Sequence, residues 1–103
     1  MAFISNEDPV VELITTISIE PKNQQHYIDN VQEILEKFAD NQPGFISAKV
    51  YKSLDGTRIV YSIQWKSIDD GLAYIEHIKE ILEIVTPEIK NADYHLYEAV
   101  KSY

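Results

Sequence analysis

The stretch QPGFISAKVYKSLDGTRIVYSIQWKS, residues 42–67, contains two extended segments joined by a tight turn. Phe45 to Leu54 and Thr57 to Lys66 are both rich in β-branched and aromatic side chains, which favour strands. Asp55–Gly56 lies between them, and this dipeptide supplies the positive φ angles that hairpin turns need. The stretch therefore predicts two antiparallel strands, around which the rest of the fold is arranged.

A strand and a helix precede this hairpin. Val10 to Ile19 is mostly β-branched or apolar, which is typical of a strand with one apolar and one mixed face. Pro21 ends that strand and opens a helix, because proline is tolerated in a first helical turn. The helix is expected to end near residues 40–41, ahead of Pro43–Gly44. Its apolar residues recur at helical spacing: Tyr27, Ile28, Val31, Ile34, Leu35 and Phe38.

A second helix and a last strand follow the hairpin. Ser67 is the expected N-cap of the helix, with Asp70 as the capping-box acid. Pro87 is expected to stop the helix, and Ala92 to Tyr103 is the last predicted strand. The expected apolar face of this helix carries Leu72, Ile75, Ile78, Leu82 and Val85, and Tyr74 lies inside the same stripe.

The element order β-α-β-β-α-β predicts an α+β, ferredoxin-like fold with a four-stranded antiparallel sheet and both helices on one face. Its 103 residues make one domain, with residues 1–9 as an N-terminal arm and residues 10–103 as the folded unit. The second face of the sheet is mixed rather than polar, so it needs a cover. A second copy of the chain is the simplest cover, which predicts a homodimer.

Charge and composition exclude several classes of function. Seventeen acidic and nine basic residues give a net charge of −8, which repels phosphate backbones and anionic membranes, so neither nucleic acid nor membrane is an expected partner. The chain has no cysteine and three histidines without metal-site spacing, so no metal site is predicted. The first ten residues do not form a signal peptide and no apolar run is long enough to span a membrane, so the expected location is the cytoplasm.

The pattern of residues 42–67 resembles the antibiotic biosynthesis monooxygenase family of the dimeric α+β barrel superfamily. It comprises a Pro-Gly, a strand, the hairpin SLDGTR and a strand ending in Gln-Trp-x-Ser. Two flanking features agree with this resemblance. They are a first strand that ends at Pro21 and the segment LYEAV, residues 96–100. The resemblance implies a monooxygenase that needs no cofactor, metal or flavin. Such an enzyme oxidises a small hydroxylated aromatic, of quinol or anthrone type, with molecular oxygen.

The resemblance also implies which residues act. The family's oxygenases hold substrate with a Trp on the third strand and an Asn four residues earlier. Trp65 matches the Trp, whereas Tyr61 stands at the Asn position. Trp65 and Tyr61 share one strand face and are the first two candidate catalytic residues. His77 is the third, as the proton acceptor if its side chain faces inward.

Three further residues are candidate substrate-binding residues, namely Tyr74, Thr15 and Tyr27. We expect Trp65 and Tyr61 to line one cavity, with Tyr74 on its opposite wall. Each of these aromatic residues is equally compatible with simple core packing.

Two other functions stay open. A non-catalytic module for small ligands or stress responses is compatible with Tyr61 in place of the family's Asn. A haem-degrading enzyme is the other, because relatives on this fold bind haem. It fits less well, because Thr15 and Tyr74 stand where those relatives carry Asn and Trp, and His77 comes too early in the helix.

Overall fold

The computed structural model describes residues 10–39, 41–85 and 91–103, with residues 38, 79–85 and 91 described by their backbone alone. Four strands and two long helices make up the domain. The strands are β1 (Val11–Ser18), β2 (Phe45–Lys52), β3 (Arg58–Trp65) and β4 (Asn91–Glu98). The helices are α1 (Gln24–Ile34) and α2 (Ile68–Val85), and α1 is flanked by a 3-10 turn (Pro21–Asn23) and a π-helical turn (Leu35–Ala39). The predicted arm and Pro87 lie outside the described residues.

The four strands form one antiparallel sheet in the order β2-β3-β1-β4. The central pair β1 and β3 places Val11 opposite Trp65 and Ile17 opposite Ile59. This is the predicted ferredoxin-like α+β fold, which is thereby confirmed. None of the helices in the described parts of the chain is long and apolar enough to cross a membrane.

The core lies between one face of the sheet and the two helices. Alternate residues of the two central strands are buried: Val11, Leu13, Thr15 and Ile17 from β1, and Ile59, Tyr61, Ile63 and Trp65 from β3. The apolar stripe predicted for α1 is confirmed where its side chains are described, since Tyr27, Val31 and Ile34 are buried. Period-two alternation along the strands therefore determines which side chains face the helices.

The predicted face of α2 is partly wrong. Leu72 is 49% exposed, and the buried positions are Gly71, Tyr74 and Ile78. Gly71, not Leu72, faces the sheet because glycine has no side chain and allows α2 to approach the sheet closely. A Cβ atom on Gly71 would lie 2.8 Å from Cδ2 of Leu96 and 3.6 Å from Cδ1 of Trp65.

The last strand is shorter than predicted, since β4 ends at Glu98 and residues 99–103 are irregular. The physical reason lies in the register of the sheet. Glu98 pairs with Val11, the first residue of β1, so the ladder between β1 and β4 ends at that pair.

The hairpin between β2 and β3 closes differently from the prediction. Gly56 has φ of +83°, but Asp55 does not adopt a positive φ, so this is not a two-residue turn. Instead, the Gly56 N–H donates to the Ser53 carbonyl at 3.1 Å. The Asp55 carboxylate accepts hydrogen bonds from the Thr57 N–H at 3.0 Å and the Thr57 hydroxyl at 2.7 Å. The bonds to Thr57 lower the pKa of Asp55 to about 2, and burial opposes this lowering only weakly.

A corner at Gly44 joins the start of β2 to the start of α2. Gly44 has φ of +86°, and a Cβ atom there would collide with the side chain of Asp70. The Gly44 carbonyl accepts from the Lys66 N–H at 2.9 Å. The predicted cap of α2 is confirmed, because the Asp70 N–H donates to Ser67 Oγ and Ser67 Oγ donates to Asp70 Oδ2, at 3.1 and 2.9 Å. This corner fixes the backbone on both sides of Trp65.

Candidate functional site

Trp65 lies at the centre of an aromatic cluster between the sheet and α2. It is the last residue of β3 and is fully buried. Its ring centroid lies 5.0 Å from that of Tyr74, with the two planes at 36°. Phe45, its neighbour on β2, meets it edge to face with centroids 6.0 Å apart. Trp65 is therefore held on one side by a helix and on another by the adjacent strand.

Two polar atoms in this cluster lack a hydrogen-bond partner among the described residues. They are Nε1 of Trp65 and the hydroxyl of Tyr74, and both are buried. A buried donor without a partner costs about 1–3 kcal/mol, and native proteins retain few of them. The cluster therefore presents two donors that a ligand oxygen could satisfy.

Tyr61 lies on the same inward face of β3 as Trp65, with Ile63 between them, and its hydroxyl is hydrogen-bonded to Thr15. The two residues are opposite each other in the β1–β3 register, and both are buried. Burial raises the pKa of Tyr61, with the bond to Thr15 opposing and the nearby hydroxyl of Tyr94 adding to the rise. Burial likewise raises the pKa of Tyr74, with a smaller contribution from Tyr61. At neutral pH both phenols are therefore protonated and act as hydrogen-bond donors, not as bases.

Tyr94 belongs to this group, and sequence reasoning missed it. It lies on β4, faces Thr15 in the β1–β4 register and is partly buried against the core. The available signal was the alternation Ala92, Tyr94, Leu96, which places a tyrosine among apolar residues on one strand face. The position of β4 beside β1 then brings that face to Thr15.

The structure brings together four of the six predicted site residues. Trp65 contacts Tyr74, Tyr74 lies near Tyr61, and Tyr61 is bonded to Thr15. Tyr74 was expected across a cavity from Trp65, but the two rings are in contact and no ring-sized gap separates them.

The other two predicted residues are placed differently. His77 is exposed on α2, so it is not part of the buried group. Tyr27 is buried on α1, where its ring meets that of His26 edge to face at 5.7 Å. Tyr27 nevertheless belongs to the same hydrophobic core as Trp65, Tyr61 and Tyr74.

An open cleft of about 280 Å³ lies at the end of α1, and one of its lining residues is Phe45, which also contacts Trp65. It is lined by Gln32, Leu35, Glu36, Phe45 and Ala48. Within residues 10–39, 41–85 and 91–103, no three His, Cys, Asp or Glu side chains are grouped as a metal site would need.

The sequence profile of the antibiotic biosynthesis monooxygenase family matches residues 10–77. The chain belongs to the antibiotic biosynthesis monooxygenase family. It is 31% identical over 70 residues to tetracenomycin-F1 monooxygenase of Streptomyces glaucescens, which covers 68% of this chain and 62% of that relative. The chain thus spans less than two thirds of the length of that curated relative.

Several solved structures share the fold of this chain. A monooxygenase from the gene ActVA-Orf6 of Streptomyces coelicolor, solved with the ligand nanaomycin D, superposes with a TM-score of 0.72 at 18% identity and covers 96% of this chain and 94% of that one. A protein from Methanosarcina mazei Go1 gives a TM-score of 0.72 at 18% identity and covers 86% of this chain and 91% of the other. At this level of identity the likeness concerns the fold alone.

Proposed function

We propose that this family member is a monooxygenase that oxidises a hydroxylated polycyclic aromatic, of quinol or anthrone type, with molecular oxygen and without metal or flavin. The observation that carries the proposal is the pair of buried donors, Trp65 Nε1–H and the Tyr74 hydroxyl, which lack partners among the described residues. Two donors on adjoining aromatic rings suit a flat ligand that carries an oxygen atom. The names of the relatives, one a tetracenomycin-F1 monooxygenase and one bound to nanaomycin D, support an aromatic substrate.

The reaction needs no external reductant, because the substrate supplies all the electrons. An anthrone carbon that carries two hydrogens loses a proton to give an enolate. The enolate passes an electron to oxygen, and the two radicals combine as a peroxide on that carbon. Loss of the second hydrogen, with cleavage of the O–O bond, leaves one oxygen as a carbonyl and the other as water.

The proposed contribution of the protein is stabilisation of the enolate oxygen. Trp65 and Tyr74 donate hydrogen bonds to it, and a buried setting makes such bonds stronger than in water. Stabilising the anion also lowers the pKa of the bound substrate, so water at the mouth of the site can accept the proton. Tyr61, whose hydroxyl is bonded to Thr15, has a supporting role beside Tyr74 in this proposal. His77 is exposed, and we leave it out of the proposed machinery.

Oxygen consumption with dihydroxyanthrone tests this proposal. Tyr74→Phe should lower the rate per folded molecule by about 10²–10³, the usual effect of removing one donor to a developing oxyanion. Tyr103→Phe is the matched control, since Tyr103 is fully exposed in the irregular segment after β4. If Tyr74→Phe keeps the wild-type rate, the donor assignment is wrong.

A non-catalytic binding module is the second candidate. The observation that favours it is the Tyr61 hydroxyl, which occupies the family's Asn position but is already bonded to Thr15. Wild-type protein that binds dihydroxyanthrone yet shows no oxygen uptake above buffer would establish this alternative.

We also propose that the chain is a homodimer formed through the outer face of the sheet. On this face Ile14 and Val60 lie on the central strands, while Tyr51 and Tyr97 on the edge strands are 50% and 47% exposed. Burying such a patch against its own copy requires only a two-fold axis. Sedimentation at micromolar concentration should give twice the chain mass of 11.9 kDa, and Ile14→Glu should give the single mass. Wild-type protein sedimenting at the single mass would contradict the proposal.

A further inference from the structure

The cleft beside α1 and the aromatic cluster share one side chain, that of Phe45. Phe45 lines the cleft, and the same ring packs edge to face on Trp65 at 6.0 Å. Leu35 and Glu36, on the opposite wall, belong to the π-helical turn that ends the first helix. Such turns are rare and occur frequently at functional sites.

The size of the cleft indicates that it holds part of a ligand. Its volume of about 280 Å³ is just below the range of roughly 300–1,000 Å³ that is usual for small-molecule sites. A ligand with several fused rings therefore needs more room than the cleft alone provides. Among the described residues, the buried side-chain donors that lack partners are those of Trp65, which Phe45 contacts, and of Tyr74.

We infer that the cleft is the outer subsite through which the aromatic substrate reaches Trp65, that the Phe45 side chain must swing aside to admit it, and that Glu36 favours uncharged over carboxylated ligands. This inference rests on the proposed function and adds the route of access and the class of substrate.

The backbone at Phe45 is fixed, so the movement belongs to the side chain. Gly44 is held in the corner against Asp70, and a β-bulge between Phe45 and Ser47 follows directly. Bulges are over-represented next to active sites, where they re-aim a side chain. Rotation of the Phe45 side chain breaks its edge-to-face contact with Trp65. The loss of this contact is a small barrier to ligand association.

The negative charge at the cleft indicates which class of ligand it would bind. Glu36 is the charged side chain that lines the cleft, and the whole chain carries a net charge of −8. A carboxylate on the ligand would approach that side chain against repulsion, whereas a phenol would not. The expected substrate is therefore a polycyclic phenol without a carboxylate.

Fluorescence gives a direct assay, because Trp65 is the single tryptophan of the chain. The probe is dihydroxyanthraquinone, which cannot be oxidised further at the reacting carbon, and its quenching of Trp65 in stopped flow gives the association rate. Phe45→Ala should raise that rate about two- to tenfold, because the ring contact no longer has to open. Phe45→Leu, which retains more of the packing, should give an intermediate rate. Unchanged or slower association in both folded variants overturns the role of Phe45.

Glu36→Gln tests the charge selection. The ratio of affinities for dihydroxyanthraquinone and its carboxylate should fall about three- to sixfold, the effect of one unit charge at roughly 4–6 Å in a water-like medium. Glu76→Gln, an exposed glutamate on the other helix, makes the same change in net charge and should leave the ratio unchanged. Equal effects of the two variants, or no effect of either, overturn the selection by Glu36.

These measurements use binding alone, so their outcome is separate from that of the proposed reaction. Wild-type protein that binds the probe through Phe45 but consumes no oxygen would refute the monooxygenase and leave the access route intact. If the protein oxidises dihydroxyanthrone but substitutions of Phe45 and Glu36 leave the association rate and the affinities unchanged, the access route alone is refuted.

Discussion

Replacing Trp65 by Phe separates a catalytic from a structural role, because the two roles predict opposite effects on rate and stability. The substitution keeps an aromatic ring in the cluster but removes the indole N–H. That donor is buried and has no partner among the described residues. If its purpose is to bind a substrate oxygen, oxygen uptake with dihydroxyanthrone should fall about 10²–10³-fold.

The effect on stability follows from two opposing terms. Phe lacks about two of the buried carbon atoms of Trp, which at ~0.8 kcal/mol per CH₂-sized group removes about 1.6 kcal/mol. Removing a buried donor that lacks a partner raises the free energy of unfolding by about 1–3 kcal/mol. The net change in the free energy of unfolding should therefore lie within about 1.5 kcal/mol of zero. For a domain of this size that is a change in Tm of at most about 10 °C.

A structural Trp65 gives the reverse pattern. If its N–H has a protein partner, the lost bond adds to the lost packing, and the free energy of unfolding falls by about 3–5 kcal/mol. Turnover per folded molecule would then be unchanged. The two quantities are measured on the same preparation, by urea unfolding followed with far-UV circular dichroism and by an oxygen electrode. Large destabilisation with full turnover refutes the reasoning.

Three further predictions concern the supports of the site. Gly44→Ala should lower the free energy of unfolding by about 2–4 kcal/mol in urea, because alanine is strained at φ of +86° and displaces the Asp70 cap; an unchanged midpoint would contradict this. Tyr61→Phe leaves Thr15 without its partner and should cost about 1–3 kcal/mol with at most a small loss of rate, while the double variant with Thr15→Val should recover the stability. Asp55 has its folded pKa lowered from 3.8 to about 2, so its contribution is present above about pH 4 and is lost as pH falls towards 2. Asp55→Asn should lower Tm at neutral pH, with the difference disappearing near pH 2, and a difference independent of pH would refute the assignment.

Much of the fold follows from local patterns, and so does part of the site. Period-two alternation placed Trp65 and Tyr61 on one face of β3, and the register confirms that this face is the buried one. Ser67 and Asp70 predicted the start of α2, because the cap depends only on neighbours in sequence. The features that were predicted correctly are those governed by contacts within a few residues.

Apart from the local turn at Asp55–Gly56, the features that were missed depend on contacts between distant parts of the chain. Leu72 fits the helical stripe as well as Gly71 does, and only the close approach of α2 to Leu96 decides between them. Tyr94 enters the site because β4 docks beside β1, which places it opposite Thr15. The cleft beside Phe45 depends on a π-helical turn and a β-bulge, and neither has a clear sequence signal.

Tyr61 stands where the resemblance to the family's oxygenases implies an Asn. It is buried with its hydroxyl bonded to Thr15, so on the proposed function it supports the site and does not bind substrate. The donors that lack partners are on Trp65 and Tyr74, whose rings are in contact. On the proposed function, the hydrogen bond attributed to the Asn therefore comes from α2 instead of β3. Such a shift moves the bound oxygen towards the helix, and it is the physical reason to expect a substrate shape different from that of relatives that retain the Asn.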